Sequence, residues 1–430
     1  MSRLLQLAAG LLLPGMTMAG DGLQPADTSW ILTSTVLVLF MTLPGLAMFY
    51  GGLVRSKNVL SILLQCFAIA GIVSILWLVV GYSIAFAEGS DYLGGLSRVM
   101  FSGIQEDTLR DGLPESLFAL FQMTFAIITP ALIIGGFAER MKFSAVLLFS
   151  AIWLLVVYAP IAHWVWGGGW LGNMGLLDFA GGTVVHITAG VSALVAALVI
   201  GPRKGFPETP MMPHNMTMSV AGAGMLWVGW FGFNGGSALA ANGDAAMAML
   251  ITHLSAAAGA MTWMFYEWIK YGKPTALGAI TGMVAGLGTI TPASGFVGPA
   301  GALVIGVSAG IVCFNATLLI KRVWKIDDSL DVFPVHGVGG MLGTLLAGVF
   351  ASTELGLFSG QGFADGIDSM SQQVGVQLTG IVATVAYTAI ATFVILKVVG
   401  MLTGGIRVSS EAENQGLDIS DHEERGYVNL

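Results

Sequence analysis

Long apolar stretches, each free of Asp, Glu, Lys and Arg, alternate along the chain with short charged breaks. The stretches are Trp30–Val54, Asn58–Ala87, Ser116–Ala138, Phe143–Leu177, Phe179–Pro202, Thr209–Gly243, Ala245–Tyr266, Pro274–Ile320, Val332–Thr353 and Ser369–Leu396. A helix that crosses a hydrocarbon core needs roughly 20 such residues, and each stretch is long enough. Pro274–Ile320 has room for two helices and is punctuated by Thr291-Pro-Ala-Ser-Gly-Phe-Val-Gly-Pro299, a cluster dense in turn residues. The pattern therefore predicts an all-α polytopic membrane protein with eleven transmembrane helices.

Met1–Gly20 stands apart from that count. It has one early cation (Arg3), an apolar stretch Leu4–Leu13 and a small-residue exit at Thr17-Met-Ala-Gly20, the plan of a cleavable signal peptide. Residues 21–403 then form the transmembrane domain, and 404–430 a short, mostly acidic tail.

Charge placement tests the helix count. With the mature N-terminus outside, connections on the cytoplasmic side should be rich in Lys and Arg. They carry Arg55, Lys57, Arg140, Lys142, Arg203, Lys204, Lys270, Lys273, Lys321, Arg322 and Lys325, whereas the opposite connections carry only Arg98 and Arg110. An extra or missing helix would scramble this alternation, so the C-terminus is read as cytoplasmic. Composition agrees: 55% of residues are hydrophobic and 10% charged, where soluble proteins carry roughly 25% charged residues. That excludes a soluble enzyme, a disordered chain and a nucleic-acid binder. Cys66 and Cys313 both lie inside apolar runs and read as packing residues.

Two internal echoes point to an inverted repeat, an arrangement common in transporters. The first helix ends Phe49-Tyr-Gly-Gly52 and the sixth Phe233-Asn-Gly-Gly236. The fifth opens Asp178-Phe-Ala-Gly-Gly-Thr-Val-Val-His186 and the tenth Asp331-Val-Phe-Pro-Val-His336. Helices one to five and six to ten thus pair, with the eleventh appended. Entering from opposite faces, His186 and His336 converge on the midplane. Two His alone fall short of a closed zinc site, and neither a metal nor a cofactor is expected. Asp178 and Asp331 read first as helix caps. Asp178 is also an anion near Trp166-Gly-Gly-Gly169, placed to favour a cation.

Phe121-Gln-Met-Thr-Phe125, His163-Trp-Val-Trp166 and Trp230-Phe-Gly-Phe-Asn-Gly-Gly-Ser237 gather aromatics at the outer ends of helices three, four and six. Such a cluster holds a small cation by cation–π contact. A central path with no carboxylate does not carry a bare ion cheaply, since a central charge costs at least about 2.5–3.5 kcal/mol. Together these features suggest a cation recruited outside, a proton removed, and a neutral base conducted past two histidines. Gly278, Gly282 and Gly286, with Gly306 and Gly310, read as close-packing positions without chemistry. No nucleophile motif, phosphate loop or metal-ligand spacing stands out.

The four strings that begin at Pro160, Asp178, Gly229 and Asp331 closely resemble the Amt/Mep/Rh ammonium transporter family, over essentially the whole mature chain. The resemblance implies an ammonium channel of the bacterial type. Trp166, Phe125 and Ser237 match the family's outer recruitment site, with Asp178 needed nearby. Phe125 and Phe233 match its stacked gate, with Phe121 on the pore-side face of the same helix, and His186 and His336 match its pore histidines. It further implies a homotrimer in the inner membrane and a PII-type signal protein on the cytoplasmic mouths. The tail Gly416–Tyr427 resembles the family's tail but has Glu423 after His422 where Gly is usual. Two other readings are an ion-coupled methylamine transporter and an ammonium sensor. The second is disfavoured by a tail too short to fold alone.

Overall fold

The computed structural model describes residues 22–427, so the signal segment lies outside the described residues. Among the described residues, eleven helices are long and apolar enough to cross a membrane. They are α1 (Pro25–Leu53), α2 (Ser56–Phe86), α3 (Glu115–Phe137), α4 (Phe143–Asn173), α5 (Gly182–Ile200), α6 (Met216–Gly235), α7 (Gly243–Tyr271), α8 (Ala276–Ala293), α9 (Pro299–Val323), α10 (Phe333–Phe350) and α11 (Met370–Leu402). The long apolar run beginning at Pro274 does hold two helices. The chain leaves α8 at Ala293 and re-enters at Pro299, inside the Gly/Pro cluster.

Local chemistry sets the helix starts. The side chains of Asn215, Asn242, Thr275 and Ser369 each accept from a backbone N–H three residues on, opening α6, α7, α8 and α11. Such caps satisfy amides that have no partner within the helix. Glycines let α7, α8 and α9 approach closely: a Cβ at Gly282 would meet Trp263 and the Gly259 carbonyl, and one at Gly306 would meet Ser255 on α7. Lys270 and Glu267 do not pair. The ammonium of Lys270 lies over the Phe314 ring at 5.3 Å, and Glu267 accepts from Thr275 Oγ1 at 2.7 Å.

Hydrogen bonds define two faces. On the N-terminal face, the amide of Gln24 donates to Gly112 in the α2–α3 connection, and Trp30 Nε1 donates to Gly235 at the end of α6. On the other face the tail meets the starts of α2 and α4 and the α5–α6 connection. Asp418 accepts from the Leu60 and Ser61 amides at 3.1 and 2.8 Å, Phe143 N donates to Asp421, and Lys204 N donates to Glu413. The tail is thus plastered on the bundle. Glu423 has φ +56°, a left-handed conformation that glycine adopts without strain. That is the physical reason for glycine's advantage at the position.

Beneath the tail lies a buried charge cluster. Arg203 donates to Asp327 at 2.7 Å and to Glu139 at 3.1 Å, and Glu139 also accepts from Arg55. Burial alone would raise the Glu139 carboxyl, but Arg203 and Arg55 hold it below the usual range. Fully buried Arg140 spends its donors on the carbonyls of Gly136, Ala138, Gly201 and Asp327 and on Ser329. These bonds tie the ends of α3 and α5 to the α9–α10 connection.

Candidate functional site

The start of α5 is built on one carboxylate. Asp178 Oδ1 accepts from the amides of Gly181 and Gly182 at 2.8 and 2.6 Å. Its Oδ2 accepts from the Thr183 amide at 2.8 Å and from the Thr183 hydroxyl. Gly181 sits at φ +114°, which only glycine adopts freely, and it turns the chain into the helix. The first turn, Gly182–Ile187, is a widened π turn that carries His186.

The start of α10 repeats this plan with a different residue from the one sequence favoured. Asp331 does not cap the helix: it has φ +61°, and its carboxylate accepts from Lys321 Nζ at 2.8 Å. The cap is Asp328, whose Oδ2 accepts from the Phe333 amide five residues on at 2.7 Å, as Asp178 does from Thr183. Asp328 stands eight residues before His336, the same interval that separates Asp178 from His186. That shared interval is the sequence signal that pairs Asp328, rather than Asp331, with Asp178. The α10 opening, Phe333–Val338, is again a π turn.

Two glycines bring the histidines together. A Cβ on Gly190 of α5 would overlap the Gly337 backbone of α10, so the helices cross in backbone contact one turn past His186 and directly beside His336. His186 Nδ1 and His336 Nδ1 lie 3.2 Å apart, with ring planes 17° from parallel. Both rings are buried, and His186 Nε2 has no partner among the described residues. One ring must donate and the other accept in this bond. The pair lines a cavity of about 10 Å³ whose other walls include Leu132, Leu226 and Val284. Trp230 stacks on His186 at 5.5 Å and anchors its own N–H on Thr291 Oγ1, a role that motif reading did not single out.

Toward the N-terminal face the row continues in aromatic rings. Phe233 lies 6.1 Å from His186, and Phe125 lies 4.2 Å from Phe233 at 35°. Phe233 lines the narrow cavity, whereas Phe125 lines a wider one of about 210 Å³ together with Trp166 and Ser237. The two stacked rings thus stand between the cavities. Trp166 meets Phe125 edge-on at 6.0 Å, and its Nε1 donates to the Asp178 carbonyl at 2.9 Å. Ser237 Oγ donates to the Phe233 carbonyl, leaving its lone pairs for another donor.

Two sequence candidates stand back from the cavities. Phe121 backs Phe125 at 5.0 Å and lines neither. Asp178 is buried with its carboxylate spent on α5, so it reaches the wide cavity through its carbonyl and Trp166. The wide cavity also includes Gln122, whose buried Oε1 has no hydrogen-bond partner among the described residues.

On the tail-face side, His336 lines a third cavity, of about 100 Å³, with Tyr50, Lys321 and Asp331. Behind it, fully buried Asp328 has an unpartnered Oδ1. Burial first, and the neighbouring Asp331 carboxylate second, push its carboxyl up to about 7. Among the described residues no three His, Cys, Asp or Glu side chains gather as a metal set.

Residues 29–427 match the model of the Ammonium Transporter Family. An ammonium transporter of Bacillus subtilis is 46% identical over 407 residues, spanning 94% of this chain and 99% of its own. One of Aquifex aeolicus is 47% identical over 412 residues, spanning 94% of both chains. The crystal structure of Candida albicans Mep2 superposes with a TM-score of 0.85 at 34% identity, covering 95% of this chain and 94% of that one. With eleven apolar helices in the same architecture, the chain is a multi-pass membrane transporter rather than an enzyme, and it belongs to the ammonium transporter family.

Proposed function

We propose that the protein takes NH4+ from the wide cavity, removes a proton and passes NH3 through the narrow one. The observation that carries this reading is the unbroken row Trp166, Phe125, Phe233, His186, His336, with a roomy mouth above a narrow passage whose walls are mostly apolar. At the mouth, the Trp166 and Phe125 faces attract a cation by their quadrupoles, and Ser237 Oγ accepts one of its N–H groups. Asp178 holds the α5 start and, through its carbonyl, the Trp166 indole. Below the stacked Phe125 and Phe233 rings a bare ion would lose its hydration, at a cost the apolar walls do not repay. A neutral base meets only the small cost of moving the rings. The histidine pair offers it one imidazole N–H or lone pair at a time, and either passes a proton along or solvates the ammonia.

K+ resembles NH4+ in charge and size but has no proton to leave behind, so deprotonation at the mouth separates them. The same reading places the N-terminal face outside the inner membrane and the tail in the cytoplasm, in line with the Lys/Arg bias of the tail-face connections. It also carries the expectations of a homotrimer and of a PII-type protein docking on the tail face. The test is methylammonium uptake into liposomes reconstituted with Trp166→Leu protein. The concentration for half-maximal uptake should rise several-fold while the trace of folded protein on gel filtration is unchanged. An unaltered concentration dependence would falsify recruitment at this cavity.

A further inference from the structure

The wide cavity contains a cation of the protein's own. Arg110 lines it beside Phe125, Trp166 and Ser237, and its position is fixed by an unusually tight piece of backbone. In the α2–α3 connection, β1 (Leu109–Arg110) pairs antiparallel with β2 (Leu113–Pro114), so that Arg110 faces Leu113 across a two-residue turn. Asp111 and Gly112 fill that turn at φ +52° and +81°. Two successive left-handed residues make a type I′ hairpin, for which Asp-Gly is among the favoured pairs. The Gln24 amide donates to the Gly112 carbonyl at 2.9 Å, tying the hairpin to the start of α1.

The Arg110 side chain is equally constrained. Its guanidinium carbon lies 4.5 Å from the Phe118 ring centre and 5.5 Å from that of Phe86, and Nη1 donates to the Phe86 carbonyl at 3.3 Å. Among the described residues it forms no ion pair. The nearby acid, Glu115, is already taken by Arg98 at 3.1 Å and by the Tyr82 hydroxyl at 3.0 Å. Asp111 is exposed and also lines the cavity.

A positive charge held without an ion pair at the mouth of a cation-collecting cavity opposes what the cavity collects, although Glu88, Asp111 and Glu115 line the neighbouring space with it. It also covers the Phe118 and Phe86 faces, which would otherwise hold cations away from Trp166. We propose that Arg110 and Asp111 are affinity-determining residues of the outer mouth, setting by opposite charges the ammonium concentration at which the transporter fills. The inference rests on the recruitment reading above. Charge acting through solvent is screened by salt, so the effect should fade at high ionic strength, where the Debye length falls to about 3 Å at 1 M.

The test compares Arg110→Gln, Arg110→Lys and Asp111→Asn with wild type in methylammonium uptake by liposomes, at low and high salt. Asn preserves the turn because Asn-Gly suits type I′ as well as Asp-Gly does. Arg110→Gln should lower the half-saturating concentration by roughly two- to fivefold, as one unit charge acts across several ångströms of screened solvent. Asp111→Asn should raise it, Arg110→Lys should match wild type, maximal rates should hold, and both shifts should shrink in salt. Shifts of the same sign in Arg110→Gln and Asp111→Asn, or none, overturn the inference provided Trp166→Leu still alters the concentration dependence. If Trp166→Leu is also without effect, the recruitment reading itself falls and takes this inference with it.

Discussion

The starts of α5 and α10 are two versions of one construction, and they differ in how the carboxylate is spent. Asp178 gives both oxygens to three amides and a hydroxyl of the turn it caps. Asp328 gives one oxygen to a single side-chain-capped amide, that of Phe333, and leaves the other unpartnered in the interior. Burial of a carboxylate oxygen without a partner opposes its ionisation. The first aspartate is therefore committed to shaping the N-terminal mouth. The second is held near the point of protonation, pushed up to about 7. Symmetry of the repeat fixes where the helices begin and where the histidines fall, but it does not fix the electrostatics of the two ends.

The largest effect should come from removing the committed carboxylate. Asp178→Ala strips the turn of charge-assisted bonds, each worth about 1.5–3 kcal/mol, and releases the Trp166 anchor. Methylammonium uptake should fall below about a tenth of wild type, with Asp178→Glu retaining part of it. Normal uptake by Asp178→Ala would reduce Asp178 to a dispensable cap and dissolve the contrast between the two ends.

Placing a carboxylate between the ends should have the next largest effect. His186→Asp or His336→Asp puts an anion in the narrow passage, where on the proposed reading it offsets the cost of at least about 2.5–3.5 kcal/mol that a bare cation meets. K+-dependent current, negligible in wild type, should appear in the same liposomes. Equally negligible K+ current in mutant and wild type, with ammonium flux preserved, would show that the histidines do not maintain selectivity.

The smallest effect should be thermodynamic. Burial pushes the Asp328 carboxyl up to about 7, from about 3.9 in an unfolded chain, so the folded state binds more protons between those values. Stability should then fall as pH rises from about 4 to about 7 and level off above. Asp328→Asn carries no such proton. It should flatten that slope and raise the melting temperature in detergent at pH 8 by roughly 2–4 °C, the shift that about 1 kcal/mol brings. A variant that melts below wild type at pH 8 would mean that the Asp328 charge is satisfied after all, as that of Asp178 is.

Much of this was legible in the residues alone. Apolar runs and their charged punctuation specify eleven helices because lipid leaves the backbone no alternative to internal hydrogen bonding. Aromatic strings at the ends of three helices marked Trp166, Phe125 and Ser237, and the paired motifs marked both histidines. The residue that caps α10 was not legible in the same way. Two acids three residues apart, Asp328 and Asp331, precede the same turn, and periodicity alone does not say which one bends back to cap it.

Sequence by itself determined which segments lie in the membrane, how many there are, and which side chains are chemically able to meet a cation. These properties follow from local composition, and a solvent that rejects charge enforces them one segment at a time. Tertiary structure decided what touches what. The backbone contact of Gly190 with Gly337 brings two imidazoles to 3.2 Å, and Phe125 of α3 stacks on Phe233 of α6 at 4.2 Å. Folding also decided that Asp178 is spent, Asp328 is not, and Arg110 stands over the mouth on an Asp-Gly hairpin. The reason is physical: burial and hydrogen-bond satisfaction depend on every neighbour a group acquires, and most of those neighbours come from elsewhere in the chain.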